Sequence, residues 1–165
     1  MAFEEFSIEK NKNTVIEINV PLADANSEVG VSINSKIQNH VANILNFGED
    51  ESNITLEDAL TKFDSIYLDF KDDFEENSLP WEALFDGEVT YQSPKLICIA
   101  INSYLNTGGA HGNMAISFLN FDAQTGMLLQ NEELIKMEGF IKLAEKHFNL
   151  FLAGYSEEND FIDYF

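Results

Sequence analysis

Tyr104-Leu105-Asn106-Thr107-Gly108-Gly109-Ala110-His111-Gly112 is the stretch that organises this chain. Gly108, Gly109 and Gly112 carry a large entropic cost, which a folded chain accepts where its backbone needs positive φ or close approach. The segments on either side carry β patterning. Upstream, Leu96 to Tyr104 is apolar on both faces as far as Asn102, as a central buried strand would be. Downstream, Met114 to Asp122 reads as a second strand, and Asp122-Ala123-Gln124-Thr125-Gly126 as a turn into Met127-Leu128-Leu129. Before both, Trp81, Ala83, Phe85, Val89 and Tyr91 fall on odd positions, with Gly87 as the expected bulge. Ser93-Pro94 makes the turn into Leu96. Three or four antiparallel strands in meander order follow from this spacing.

Working towards the N-terminus, the period changes. Thr55 caps a helix whose first turn holds Glu57 and Asp58, which suit the unpaired amides and the positive dipole end. Leu56, Leu60, Phe63, Tyr67, Phe70 and Phe74 line one side of it, and acidic residues the other. An earlier helix starts near Ser27, carries Ile33, Ile37, Val41, Ile44 and Leu45 at helical spacing, and closes at Phe47-Gly48. An acidic loop from Gly48 to Asn53 separates the two. Thr14 to Leu22 alternates as a half-exposed strand that ends near Pro21. At the other end, Glu138 to Phe151 forms a last helix with Phe140, Ile141, Ala144, Phe148 and Phe151 directed to the core. Helices segregated from a run of strands indicate an α+β fold, a twisted antiparallel sheet with helices packed on one face.

The glycine stretch and the Asp122–Gly126 turn together resemble the RsiV/PdaC-like extracytoplasmic domains, in which Tyr-x-x-Thr-Gly-Gly-Ala-His-Gly precedes a strand and an Asp-x-x-Thr-Gly turn. The similarity runs from about Thr14 to Phe151 and is most specific between Tyr91 and Gly126. It implies one domain over residues 1–165, lacking the C-terminal strands with which such domains usually continue. Here a hydrophobic tail, Phe161-Ile162-Asp163-Tyr164-Phe165, stands in their place. The resemblance also implies an extracytoplasmic location, periplasmic or on the cell surface, with a lipid anchor or export signal outside this sequence. A second aromatic that is frequent in the pattern is replaced by Asn106.

Composition narrows the partners. The chain has 165 residues, enough for one domain with a sizeable core, and 14 phenylalanines to fill it. With 29 acidic against 9 basic residues its formal charge is −20, which repels nucleic-acid phosphates and anionic membranes and attracts basic proteins. The same acidity also serves plain solubility. The lone Cys98 lies in an apolar run and reads as a small buried hydrophobe. No window is long and apolar enough for a membrane span.

Candidate ligand-binding residues are Tyr104, Thr107, Gly108, Gly109 and His111, a small polar cluster at one end of the sheet. Two readings stand for His111: a ligand or base, and a residue bracing the turn. The second is favoured because no further His or Cys is spaced to join it. His40 flanks the first helix's apolar face, and His147 falls in the last turn of the final helix. Asp69, Asp72, Asp73 and Glu76 lie on a helix rather than in an oxygen-rich calcium loop. No metal site, cofactor motif or catalytic set is expected. The resemblance implies a non-catalytic binding or sensing module of the bacterial cell envelope that recognises a basic protein such as lysozyme. Its alternative is an accessory domain that binds cell-wall glycan for a peptidoglycan-modifying enzyme.

Overall fold

The computed structural model describes residues 1–48, 54–73 and 79–156. The chain divides into two compact units, Met1–Leu128 and Leu129–Phe165. In the first, β1 (Phe3–Asn11), β2 (Val15–Ala23), α1 (Glu28–Leu45), α2 (Leu56–Asp73), β3 (Glu82–Gln92), β4 (Leu96–Asn106) and β5 (Asn113–Asp122) follow in order. The five strands form one sheet ordered β1-β2-β3-β4-β5. This is an α+β fold, as the patterning indicates.

Within that class the sheet is mixed. β3, β4 and β5 form the expected antiparallel meander, but β2 and β3 run parallel, from Val15↔Glu82 to Asn19↔Asp86. A parallel pair requires a long crossover, and the segment carrying α1 and α2 supplies it. β1, absent from the sequence reading, pairs antiparallel with β2 along its whole length. Its alternation of Phe6 and Ile8 with Glu5, Ser7 and Glu9 is masked by charge, as suits a sheet edge. Pro21 does not end β2, which continues to Ala23. Instead, pairing to β3 stops at Asn19, where a Cβ on Gly87 would lie 3.1 Å from the Pro21 ring. Gly87 itself pairs regularly with Ile101. The bulge falls between Val89 and Tyr91, so Tyr91 leaves the core face and is exposed. After the Asp122–Gly126 turn there is one isolated bridge, Phe121↔Leu128, in place of a further strand.

Helix starts follow the caps. Ser27 Oγ accepts from Gly30 N at 3.0 Å, and Thr55 Oγ1 accepts from Asp58 N at 3.1 Å. Phe47 and Gly48, both at positive φ, close α1. α1 packs on β2 and on α2, with Ile33, Ile37, Val41 and Leu45 buried against Ile16, Ile18 and Val20. From α2, Phe63 and Tyr67 reach the same core, as do Ile97, Ile99 and Ile101 of β4. Each such side chain contributes roughly 1.5–3 kcal/mol by leaving water. Residues 49–53 of the acidic loop, Phe74 and Glu76 beyond α2, and the tail at Phe161 lie outside the described residues.

The second unit contains α3 (Asn131–Leu134) and α4 (Met137–Ser156). Glu133 Oε2 accepts from Gln130 N at 2.7 Å and starts α3. The sequence directs the apolar side chains of α4 to a core, yet Phe140 is 49 % and Phe148 61 % exposed. His147 is not in the last turn, because α4 runs on to Ser156.

One polar contact ties the β1–β2 turn to α2. Asp64 accepts from Asn13 Nδ2 at 2.7 Å and from the buried Thr14 hydroxyl at 3.0 Å. Asp64→Ala leaves that hydroxyl without its partner and is expected to cost about 1–3 kcal/mol in urea unfolding. Unchanged stability would show that the pair is incidental.

Candidate functional site

The glycine loop is built from three local devices. Asn106 Oδ1 accepts from Gly108 N at 3.2 Å, turning the chain as it leaves β4. Gly108 then adopts φ +84°, which disfavours any side chain. Gly112 is held for a different reason: a Cβ there would run into the Tyr104 ring, so the returning backbone rests on that ring. Gly109 lies at neither constraint. A Cβ on it would meet nothing nearer than the His111 carbonyl at 3.7 Å.

The five residues singled out from the sequence are therefore neighbours in the chain with separate contacts. His111 is exposed, and its Nδ1 lies 3.3 Å from Gly112 O, the turn-bracing geometry. Thr107 and Tyr104 are half-buried, and among the described residues no hydrogen bond joins them to each other or to His111.

Beneath the loop lies a feature that sequence reasoning missed. Trp81, the only tryptophan, is 6 % exposed and ringed by Phe47, Phe63, Tyr67 and Phe70, with centroids 5.4–6.1 Å away. Its Nε1–H is buried without a hydrogen-bond partner. The Cβ position of Gly108 is 3.6 Å from that nitrogen and 3.8 Å from Phe70. A buried indole donor usually finds a partner, and among the described residues this one has none. A single Trp directly after Pro80 was the available signal.

The second motif is structural. Asp122 Oδ1 accepts from Thr125 N at 2.8 Å, Gln124 N at 2.9 Å and Thr125 Oγ1 at 3.0 Å. The Thr125 amide above all, then the Gln124 amide and the Thr125 hydroxyl, hold this carboxyl below its ordinary value of 3.8. Ser32 Oγ of α1 donates to Gly126 O at 2.9 Å and docks the turn on the helix. His40 shows the opposite chemistry. Burial lowers its pKa, and among the described residues its Nε2 has no hydrogen-bond partner. Desolvation likewise raises the pKa of half-buried Cys98. Among the described residues no group of three or more His, Cys, Asp or Glu is placed to hold a metal, and no helix is long and apolar enough to cross a membrane.

The sheet's face opposite α1 and α2 has a composition that the strand registers reveal. Met114, Ile116 and Phe118 of β5 stand beside Tyr104, Asn102 and Ala100 of β4, and those beside Leu84, Asp86 and Glu88 of β3. Across β2 and β1 the same face carries Glu17 with Glu9, and Glu5 beside Pro21. Five exposed carboxylates, Glu5, Glu9, Glu17, Asp86 and Glu88, thus share one surface, and no Lys, Arg or His of the five strands points to that side. Met114, Ile116 and Phe118 are 73 %, 60 % and 64 % exposed.

Comparison with known proteins agrees with this architecture. A family model described as Deacetylase PdaC matches residues 8–114. No curated protein matches the chain. Among solved structures, a DUF3298 family protein from Pseudomonas aeruginosa PAO1 superposes with a TM-score of 0.65 at 17 % identity, over 94 % of this chain and 68 % of the other. A DUF3298 family member from Bacteroides fragilis gives 0.51 at 18 % identity, over 80 % and 60 %. At these identities the two structures establish a shared fold.

Gly108→Ala should cost about 1 kcal/mol or more through its backbone, and Gly112→Ala about 1–3 kcal/mol by displacing the Tyr104 ring, both read by urea unfolding. His111→Ala, which removes the contact to Gly112 O, should lower stability modestly, by about 1 kcal/mol or less. Asp122→Ala tests the turn through pH. Because the folded carboxyl titrates lower than the unfolded one, its stabilisation is present above 3.8 and disappears as pH falls through the lowered value. The stability gap between parent and variant should therefore close on acidification. A constant gap would place Asp122's effect outside its charge.

Proposed function

The chain belongs to the family described by the Deacetylase PdaC model, and from that premise we propose that it is a non-catalytic binding module of the bacterial cell envelope whose partner is a basic protein. The observation that carries this reading is the surface opposite α1 and α2, where five exposed carboxylates stand and no Lys, Arg or His of the five strands points to that side. Such a field steers a cationic protein into encounter and selects against anionic ones. With a formal charge of −20 on the whole chain, long-range attraction reinforces the local one. Lysozyme, small and strongly basic, is the partner class this surface suits. An extracytoplasmic location accords with the family and with a partner that acts on cell walls.

A second reading has its own support. The matching family model is that of a deacetylase, and the Trp81 N–H under Gly108, without a partner among the described residues, is a donor suited to a sugar hydroxyl or acetamido oxygen. In that case the module is an accessory domain that presents cell-wall glycan to an enzyme. Because Trp81 is the sole tryptophan, its fluorescence reports such binding directly. A chito-oligosaccharide that leaves the emission unmoved and shows no binding heat would remove this reading.

For the principal reading, titration calorimetry with lysozyme is expected to show binding at low salt that weakens steeply as salt is raised. The triple variant Glu17→Lys, Asp86→Lys, Glu88→Lys should weaken it by about tenfold or more, with the fold intact because these side chains are exposed. Duplex DNA should not bind. Equal affinity of parent and variant for lysozyme would sink the proposal.

A further inference from the structure

At Trp81 an unpaired donor meets an unfilled position. The indole is 6 % exposed, and its Nε1–H has no hydrogen-bond partner among the described residues. An indole nitrogen only donates, so whatever satisfies it must bring an acceptor. The loop sets Gly108 over this nitrogen, at φ +84°. Among the described residues beyond its chain neighbours, a Cβ built on Gly108 would meet nothing closer than Trp81 Nε1 at 3.6 Å and the Phe70 ring at 3.8 Å. The missing side chain therefore leaves a position bordered by a donor on one side and an aromatic ring on the other. Gly112 and Gly126 differ, since a Cβ on either would collide with its surroundings. A second irregularity lies against the same indole. Phe47 holds φ 57°, which a bulky side chain rarely adopts, and packs edge-on to Trp81 with centroids 6.1 Å apart. Backbone kept in such a region clusters at ligand sites. Phe47, Phe70, Trp81 and Gly108 all belong to the Met1–Leu128 unit.

We propose that this position reads the acetamido group of an N-acetylated sugar, whose carbonyl oxygen takes the Trp81 N–H while its methyl group lies against Phe70. This rests on the glycan reading above and names the group that is recognised. A donor-only nitrogen rejects an ammonium group, which has donors and no acceptor, so a deacetylated amino sugar leaves the indole unpaired. The formal charge of −20 disfavours phosphate and carboxylate acceptors. A hydroxyl satisfies the nitrogen but brings nothing apolar to the ring beside it, whereas a carbonyl with an adjoining methyl supplies both. The chain then tells acetylated from deacetylated glycan. It does so against its own net charge, which attracts the cationic amino sugar.

The test uses the full chain labelled with heavy nitrogen, in which the sole tryptophan gives a single indole N–H resonance. The trimer of N-acetylglucosamine is expected to move that resonance downfield, and the trimer of glucosamine to leave it in place. At salt high enough to screen the chain's charge, titration calorimetry should show the amino trimer binding about tenfold more weakly or worse. Equal affinities there, or equal displacement of the resonance by both, would overturn the proposal. Trp81→Phe keeps an aromatic ring and removes the N–H, so it should erase the preference for the acetylated trimer, with urea unfolding as the control for folding. A preference that persists counts against the site, and if the variant does not fold, the parent's resonance decides alone. N-acetylglycinamide, an amide without a sugar, should leave the indole unmoved. Displacement equal to the trimer's would assign the position to amides in general and overturn the sugar assignment. An indole resonance already downfield in the free chain, and unmoved by the trimer, would give the N–H a partner within the chain and equally overturn the site. If the acetylated trimer binds with heat but the resonance stays, the site is wrong and the glycan reading survives. If it does not bind at all, both fall.

Discussion

The fold of the first unit turns on Trp81. Its carbonyl accepts from Val15 N at 2.8 Å, at the point where β2 and β3 begin to run parallel. Its ring is clamped by Phe63, Tyr67 and Phe70 of α2 and by Phe47 after α1. Both helices of the crossover therefore end against the residue that starts the next strand. A parallel pair pays its loop-closure entropy before any ladder forms, so a packed aromatic hub at the closing point is what makes the connection favourable. Asp64, holding Asn13 and Thr14 from the same helix, fixes the opposite side of that junction.

Because the crossover puts α1 and α2 on one side, the sheet is divided into unlike faces. The inner rows, Ile16 with Ala83, Ile18 with Phe85, and Ile99 with Leu119, are buried. Outward rows grade from carboxylates on β1, β2 and β3, through Cys98, Ala100, Asn102 and Tyr104 on β4, to Met114, Ile116 and Phe118 on β5. Stability does not require that gradient, since any soluble outward face would leave the core intact. The asymmetry is thus where function has room to act.

Several parts of this were legible in the residues. The apolar run before Asn102, the caps at Ser27 and Thr55, and the glycine-driven reversal after Tyr104 are local signals, and each is realised in place. The parallel pairing of β2 with β3 was not legible, because the period of a strand says nothing about its neighbour's direction. β1 was hidden by the charges that guard it. Tyr91 was assigned to the wrong face because a bulge after Val89 shifts parity by one residue, and nothing in Val-Thr-Tyr announces it. At the candidate site the loop residues were found, but not Trp81 beneath them, since its position there depends on contacts far apart in sequence. The acidic face was equally hidden, as Glu9 comes opposite Glu17, and Asp86 and Glu88 come to the same side, only through register.

The two glycine-bearing motifs have physical roles that close on themselves. Gly108 answers a backbone demand and Gly112 a packing one, while Asp122 saturates its carboxylate on the turn it starts and docks on α1 through Gly126. Both flank β5, one at each end, and so hold that strand in register at the sheet's edge. These contacts account for both glycines and for Asp122 by backbone and packing demands alone, and the strand they hold stands beside the columns of β4 and β3 from which the acidic side of the sheet extends.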